Sequence, residues 1–282
     1  MNKPVIERKF AEMGARVEIN KIVNPRQDSD GISINIRTDE YGEKFTIGLD
    51  EGFDPEAVIM DVDKKEKHLL MMVRIPEEPH NRNNGKGYRN AKYLCGHDER
   101  HWFVCGVPEA AGASSVRDAR EALKPAGVIE AEKRAGLKTK DKNKRHNSAD
   151  KRQGEWFFVP VNIEEPPEDY MLLKNEPIQR TGSSPHIVQE VYRRGGQVVF
   201  THRSHPDGVS KAKMDEIVEY AVKKHQIGMT SGWVERRVNA QVFARGTVKH
   251  GDHATINLDG WHEVFMNTES QSWAGRNVQF ID

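Results

Sequence analysis

From residue 15 to residue 75 the chain alternates apolar and polar residues again and again, a pattern that buries one face of a strand and no face of a helix. Residues 15–22 alternate, so does the run Ile32-Ser33-Ile34-Asn35-Ile36, and Phe45, Ile47 and Leu49 share a face of a third segment. Between the last two, Thr38-Asp39-Glu40-Tyr41-Gly42-Glu43 supplies turn residues. Residues 58–62 and 69–75 continue the pattern across the charged turn Asp63-Lys64-Lys65-Glu66-Lys67. An antiparallel meander is the simplest expectation. A polar loop at 76–87 follows, then two strands around Tyr93-Leu94-Cys95 and Trp102-Phe103-Val104-Cys105. Ser115 with Asp118 three residues on reads as a helix cap, and Pro125 as that helix's stop.

The composition changes at residues 126–153. Between Lys124 and Arg152 stand ten Lys or Arg against four acids, with almost no apolar residue after Leu137. This reads as a mobile basic excursion. The fold resumes at Glu155-Trp156-Phe157-Phe158-Val159-Pro160, which echoes His101-Trp102-Phe103-Val104 and Pro108 and suggests neighbouring strands of one sheet. Beyond 166–184, Ser184-Pro185 reads as an N-cap with proline at the first helical position, so a helix is expected over 186–194, ended by Gly195-Gly196. A strand at 197–202 and a helix at 211–225 follow, the helix with Met214, Ile217, Val218, Ala221 and Val222 on one face. Closing strands are expected at 233–248, with a break in the middle, at 254–258 and at 264–266. The expected class is α+β: a β-rich N-terminal lobe over 1–165 carrying the basic excursion 126–153, and a C-terminal lobe over 175–282 of helices packed on a mostly antiparallel sheet.

Charge balances at 43 basic and 43 acidic residues, which argues against a surface basic throughout. No apolar run approaches the roughly 18 residues of a membrane span, and residues 1–8 lack the apolar core of a signal peptide. Two cysteines, Cys95 and Cys105, are too few for a disulfide framework, and a cytoplasmic setting without membrane partners is expected.

The chemistry lies in the histidines, seven of twelve within the last hundred residues. His250 and His253 bracket Gly251-Asp252, read as a two-residue hairpin loop that pairs the two imidazoles across strands. With Asp252, and with His262 as a third ligand, they make a candidate centre for a divalent metal, zinc or magnesium/manganese, or a proton shuttle. His202 and His205 form a second His-x-x-His group after a strand, with Arg203 placed to clamp a phosphate. The bland account of both groups is a polar loop. His97-Asp98-Glu99-Arg100-His101, beside Trp102, offers a base, a cation and an aromatic face, or a simple ion-paired turn. Lys138, Lys140, Lys142, Lys144, Arg145 and Arg152, with Trp156 to stack on a base, form the candidate nucleic-acid contact. Against it stands a solvated linker.

No phosphate loop, dinucleotide fingerprint or nucleophile elbow is present. The expectation is therefore a nucleic-acid-associated protein, its catalytic form a metal- or histidine-dependent phosphodiesterase or nuclease. In that form His202, His205, His250, His253 and Asp252 are the working residues and His250, His253 and His262 the ligands. The alternative is a non-enzymatic adaptor whose partners are other proteins of a complex.

Overall fold

The computed structural model describes residues 3–21, 32–50, 56–76, 88–167, 170–180 and 183–271. The polar loop expected at 76–87 lies, beyond Pro76, outside them.

The alternating segments become seven strands in two sheets. β1 (Val17–Lys21), β2 (Ile32–Asp39) and β3 (Gly42–Leu49) form one, in the order β1-β3-β2. The β2–β3 hairpin pairs Ile34 with Ile47 and Ile36 with Phe45, which puts the alternating isoleucines on one side. β1 joins β3 in parallel, a departure from a pure meander. β4 (Glu56–Asp63), β5 (His68–Pro76), β6 (Tyr88–Asp98) and β7 (His101–Val107) form an antiparallel sheet in chain order. Leu69, Met71, Val73 and Ile75 share one core with Ile6, Phe10 and Met13 of the opening helix, α1 (Lys3–Met13), and with the three-stranded sheet. Leu70 and Leu94 point the other way, against Val116 and Ala119 of α2 (Val116–Ala122). A sheet covered on both faces accounts for the unbroken apolar run that begins at Leu69. Ser115 and Asp118 form the expected reciprocal cap of α2. The helix stops three residues before Pro125, which instead precedes α3 (Ala126–Arg134).

A third sheet has six strands in the order β10-β11-β15-β16-β9-β8. They are β8 (Lys151–Gln153), β9 (Trp156–Pro160), β10 (Leu173–Ile178), β11 (His186–Arg194), β15 (Gln241–Lys249) and β16 (Ile256–Met266). The segment 126–153 is built into the fold. Val128 and Ala131 of α3 pack on Phe157 and Val159, and Lys124 forms a buried ion pair with Glu132 at 2.6 Å. The two Trp-Phe strands are not sheet neighbours: β7 and β9 belong to different sheets.

The α+β expectation is overturned. Strands make up 49% of the structure and helices 20%, and there is no helix-rich lobe packed on a sheet. Residues 186–194 form strand β11, held between β10 and β15. Ser184-Pro185 carries the local signature of a helix start, but Ile187, Val188, Val191 and Tyr192 prefer the pleated surface, and pairing on both edges decides the conformation. The one α-helix among the described residues of this half, α4 (Lys211–Lys223), buries only Ala221, and Val222 is exposed.

β12 (Gln197–His202), β13 (His205–Val209) and β14 (Val234–Val238) form a separate three-stranded sheet. It prolongs the six-stranded one. Arg194 pairs with Gln241 across β11 and β15, and Gln197 with Val238 across β12 and β14, so one antiparallel ribbon runs on through a break. At that break Gly196 has φ +85°, and a Cβ there would lie 2.8 Å from the Val238 carbonyl oxygen. The break expected within 233–248 is this one.

Candidate metal centre and adjoining cavity

Antiparallel pairing of Ile187 with Lys249 puts His186 opposite His250, at the head of β11 and just past the end of β15. The chain then turns and brings His253 back. The loop is wider than two residues, since its last paired residues are Val248 and Ile256. The two imidazoles come together nonetheless, with ring centroids 4.8 Å apart. His186 stacks on His250 at 4.2 Å and lies 5.7 Å from His253. One ligating atom from each of the three lies within 4.8 Å of the other two. Tetrahedral zinc, with nitrogens at 2.0–2.1 Å, would space them about 3.4 Å apart. Ring movements of about 1 Å close that gap.

His186 is 1% exposed, and neither of its ring nitrogens has a hydrogen-bond partner among the described residues. Burial, and then the neighbouring imidazoles, push its pKa down to about 3, so the ring is neutral and its lone pair free. An orphaned polar group of this kind costs about 1–3 kcal/mol, a cost that coordination removes. His250 Nδ1 accepts the Asp252 backbone N–H at 3.2 Å, which leaves its proton on Nε2. Coordination through Nε2 therefore requires that proton to leave and this hydrogen bond to break.

Gly154, on the β8–β9 turn, makes the room. Its φ is +58°, and a Cβ there would sit 2.9 Å from His253 Nε2 and 3.3 Å from His186 Nε2. Gly154→Ala is expected to block the space in front of both nitrogens and to lower metal affinity at least tenfold. Titration of the chelator-treated variant with zinc checks this; affinity equal to that of the unsubstituted chain would show that the ligands converge elsewhere.

His253, Gly154 and Asp252 also border a cavity of about 340 Å³ between β7, α2 and the β8–β9 turn. His101 stands at its wall. Its Nδ1 lies 2.7 Å from Glu43, whose other oxygen accepts the Trp102 backbone N–H, and its Nε2 is 3.8 Å from Asp252. A carboxylate that fixes one imidazole nitrogen leaves the other to exchange a proton. The 97–101 turn also serves structure: Asp98 and Glu99 both engage Arg145, and Glu99 accepts the Ala254 N–H at 2.7 Å.

Of the other expected site residues, Trp156 and Arg152 adjoin this centre and its cavity, and the rest lie elsewhere. His202 and His205 face each other across the β12–β13 turn, share the Ser204 hydroxyl at 2.6 and 3.0 Å, and rest against Trp233. They are at the far end of the ribbon from His186, sixteen residues along and so up to about 50 Å away in extended chain. Arg203, in their turn, is exposed. His262 is buried on β16, with Nδ1 3.0 Å from the Gly260 carbonyl, and is not in the triad. Trp156 lies edge-on to His186 at 6.4 Å, its Nε1 buried. Among the basic residues Lys138 and Lys140 are exposed, whereas Lys142 approaches Glu132, Lys144 pairs with Asp141, and Arg152 points into the cavity. His186, Gly154 and Glu43 did not emerge from the sequence; β-pairing of 186–194 with 241–249 is the signal that finds the first.

No protein-family model, curated protein or solved structure matches this chain. Among the described residues no helix is long and apolar enough to cross a membrane.

Proposed function

We propose that this chain is a nucleic-acid-associated, metal-dependent phosphodiesterase of the cytoplasm, with its metal held by His186, His250 and His253. The observation that carries the reading is the convergence of three imidazoles on one point, one of them fully buried with both nitrogens unpartnered. Three imidazoles suit zinc far better than magnesium or manganese, which favour oxygen ligands. Three protein ligands with one position left open is the catalytic pattern. When bound, zinc lowers the pKa of a coordinated water towards neutrality and polarises a phosphoryl oxygen.

The chain's own groups supply the rest. His101, held by Glu43, gives or takes a proton at Nε2 on the cavity wall. Arg152 meets the phosphoryl group. Lys138 and Lys140, exposed and close in sequence, contact the strand's backbone phosphates. Two free, buried thiols, Cys95 and Cys105, fit a reducing compartment.

Elemental analysis of purified protein is expected to find about one zinc per chain. Hydrolysis of bis(p-nitrophenyl) phosphate and of a single-stranded oligonucleotide should stop on chelation and return with zinc. Protein that neither retains nor takes up a transition metal, and cleaves neither substrate, ends this reading.

One observation favours the alternative, a non-enzymatic adaptor. The distal ribbon and α4 expose Val198, Tyr220, Val222 and Val234, apolar surface suited to other proteins of an assembly. An adaptor would lose partner binding on removal of residues 197–238 and would show no chelation-sensitive hydrolysis.

A further inference from the structure

The cavity beside the histidine triad is bordered by a cation, Arg152, that the protein answers only at long range. Arg152 enters it from β8, and its closest carboxylate, Asp98, lies 3.9 Å away and is already engaged by Arg145. No hydrogen bond from a described residue reaches the Arg152 guanidinium, whereas Lys124 has Glu132 and Glu121, and Arg180 has Glu269 at 2.7 Å. Burial pushes the pKa of Arg152 down; burial first, and then the Arg152 charge, lowers those of Arg120 and Arg145. Arg152 and Arg120 both border the cavity, so two guanidiniums share one space. His68 borders the same space, 6% exposed, with Nδ1 lacking a hydrogen-bond partner. A cation three-quarters covered, with its donors unspent, is costly, and an anion that fits its planar fork relieves that cost.

The rest of the wall narrows the ligand. Trp102, Phe103 and Phe157 border the cavity. Trp102 is fixed edge-on by Phe45 at 5.5 Å and by His97 at 4.9 Å. Rigid aromatic surface facing a phosphate fork is the chemistry of a nucleotide: a base for the rings, a phosphoryl group for the arginine. At about 340 Å³ the space is at the small end of ligand sites, one nucleotide rather than a duplex.

We infer that this cavity binds a single nucleoside monophosphate unit, whose phosphoryl group is taken by Arg152 in a two-point fork while its base rests on the aromatic wall. The inference deepens the phosphodiesterase reading by naming the group the site holds, one nucleotide as released by cleavage at a strand end. It is testable without the metal. A free mononucleotide and the phosphorylated end of a strand share this chemistry.

The experiment is calorimetric titration of the chelator-treated full chain with AMP, adenosine, inorganic phosphate and a 5′-phosphorylated trinucleotide. AMP is expected to bind at least tenfold more tightly than adenosine or phosphate. Arg152→Lys, which keeps the cation and loses the fork, should remove most of that preference. Arg152→Met should remove all of it without lowering the melting temperature, because it replaces a largely covered cation whose nearest carboxylate is already taken by Arg145. Trinucleotide binding equal to that of AMP assigns the site to strand ends; AMP binding alone assigns it to free mononucleotide. The inference falls if AMP binds no better than adenosine, if Arg152→Lys binds AMP like the unsubstituted chain, or if Arg152→Met melts well below it. A metal-free protein that binds AMP would leave this site standing without the zinc reading, and a zinc protein that ignores AMP would do the reverse.

Discussion

Chelator-treated protein is expected to lose about 5 kcal/mol of folding stability between pH 6.5 and pH 4.5. Two buried imidazoles set that figure. Burial holds both His68 and His186 down to about 3, against an ordinary value of 6.5, and both are therefore neutral in the folded chain across the window. In the unfolded chain both take a proton as pH falls below about 6.5. The unfolded state then binds more protons than the folded one, so stability rises with pH. It is fully present above pH 6.5 and declines towards pH 3. Each histidine costs about 1.4 kcal/mol per unit once the unfolded ring is fully protonated and about half that at pH 6.5, so two of them over two units give about 5 kcal/mol. Domains are commonly stable by about 5–15 kcal/mol, so the loss is a large share. Three carboxyls act against it: Glu132, Asp150 and Glu269 are raised by burial, take up a proton first in the folded chain as pH falls, and return a part. Urea unfolding at half-unit steps measures the slope, and His186→Leu should halve it. A midpoint that stays constant from pH 6.5 to 4.5 would mean that both rings titrate as they do in water.

The strands of residues 15–107 were readable because a period of two, with one or both faces buried, writes itself into every second residue. Ile32, Ile34, Phe45 and Ile47 are all buried where alternation puts them. The helix α1 went unread although Ile6, Phe10 and Met13 recur at helical spacing. Residues 186–194 were misread for a physical reason: Ser184-Pro185 and Gly195-Gly196 are local signals, and hydrogen bonds from two flanking strands outweigh them. That one error hid His186, whose place beside His250 exists only in the paired state. In the 126–153 segment charge density alone points to a solvated excursion, whereas several of its charges are paired within the fold. Glu132 and Lys124 are both buried and answer each other. Spacing did reveal that His250 and His253 would be close. It gave no sign that residues 202–205 belong to the far end of a ribbon, since that follows from the register shared by β11–β15 and β12–β14.

His186→Leu is expected to change sign between two conditions. In excess zinc the substituted chain should be several kcal/mol less stable than the original; in chelator it should be equally stable or more so. The first half follows from linkage. A ligand held only by the folded chain stabilises it by about 4 kcal/mol at a thousand times its dissociation constant, and loss of one of three ligands removes most of that. The second half follows from the ring's surroundings. Without metal, His186 is buried at 1% exposure with two unsatisfied nitrogens, a state that costs about 1–3 kcal/mol. Leucine is close in volume, needs no partner, and suits the apolar company of Ile178 and Val188 nearby on β10 and β11. A histidine kept only for packing would give the same sign in both conditions, so paired unfolding curves decide the matter even if no substrate is ever found. His202→Leu, at the other end of the ribbon, should leave the zinc-dependent gain intact. Should it abolish that gain while His186→Leu does not, the metal belongs to the distal hairpin.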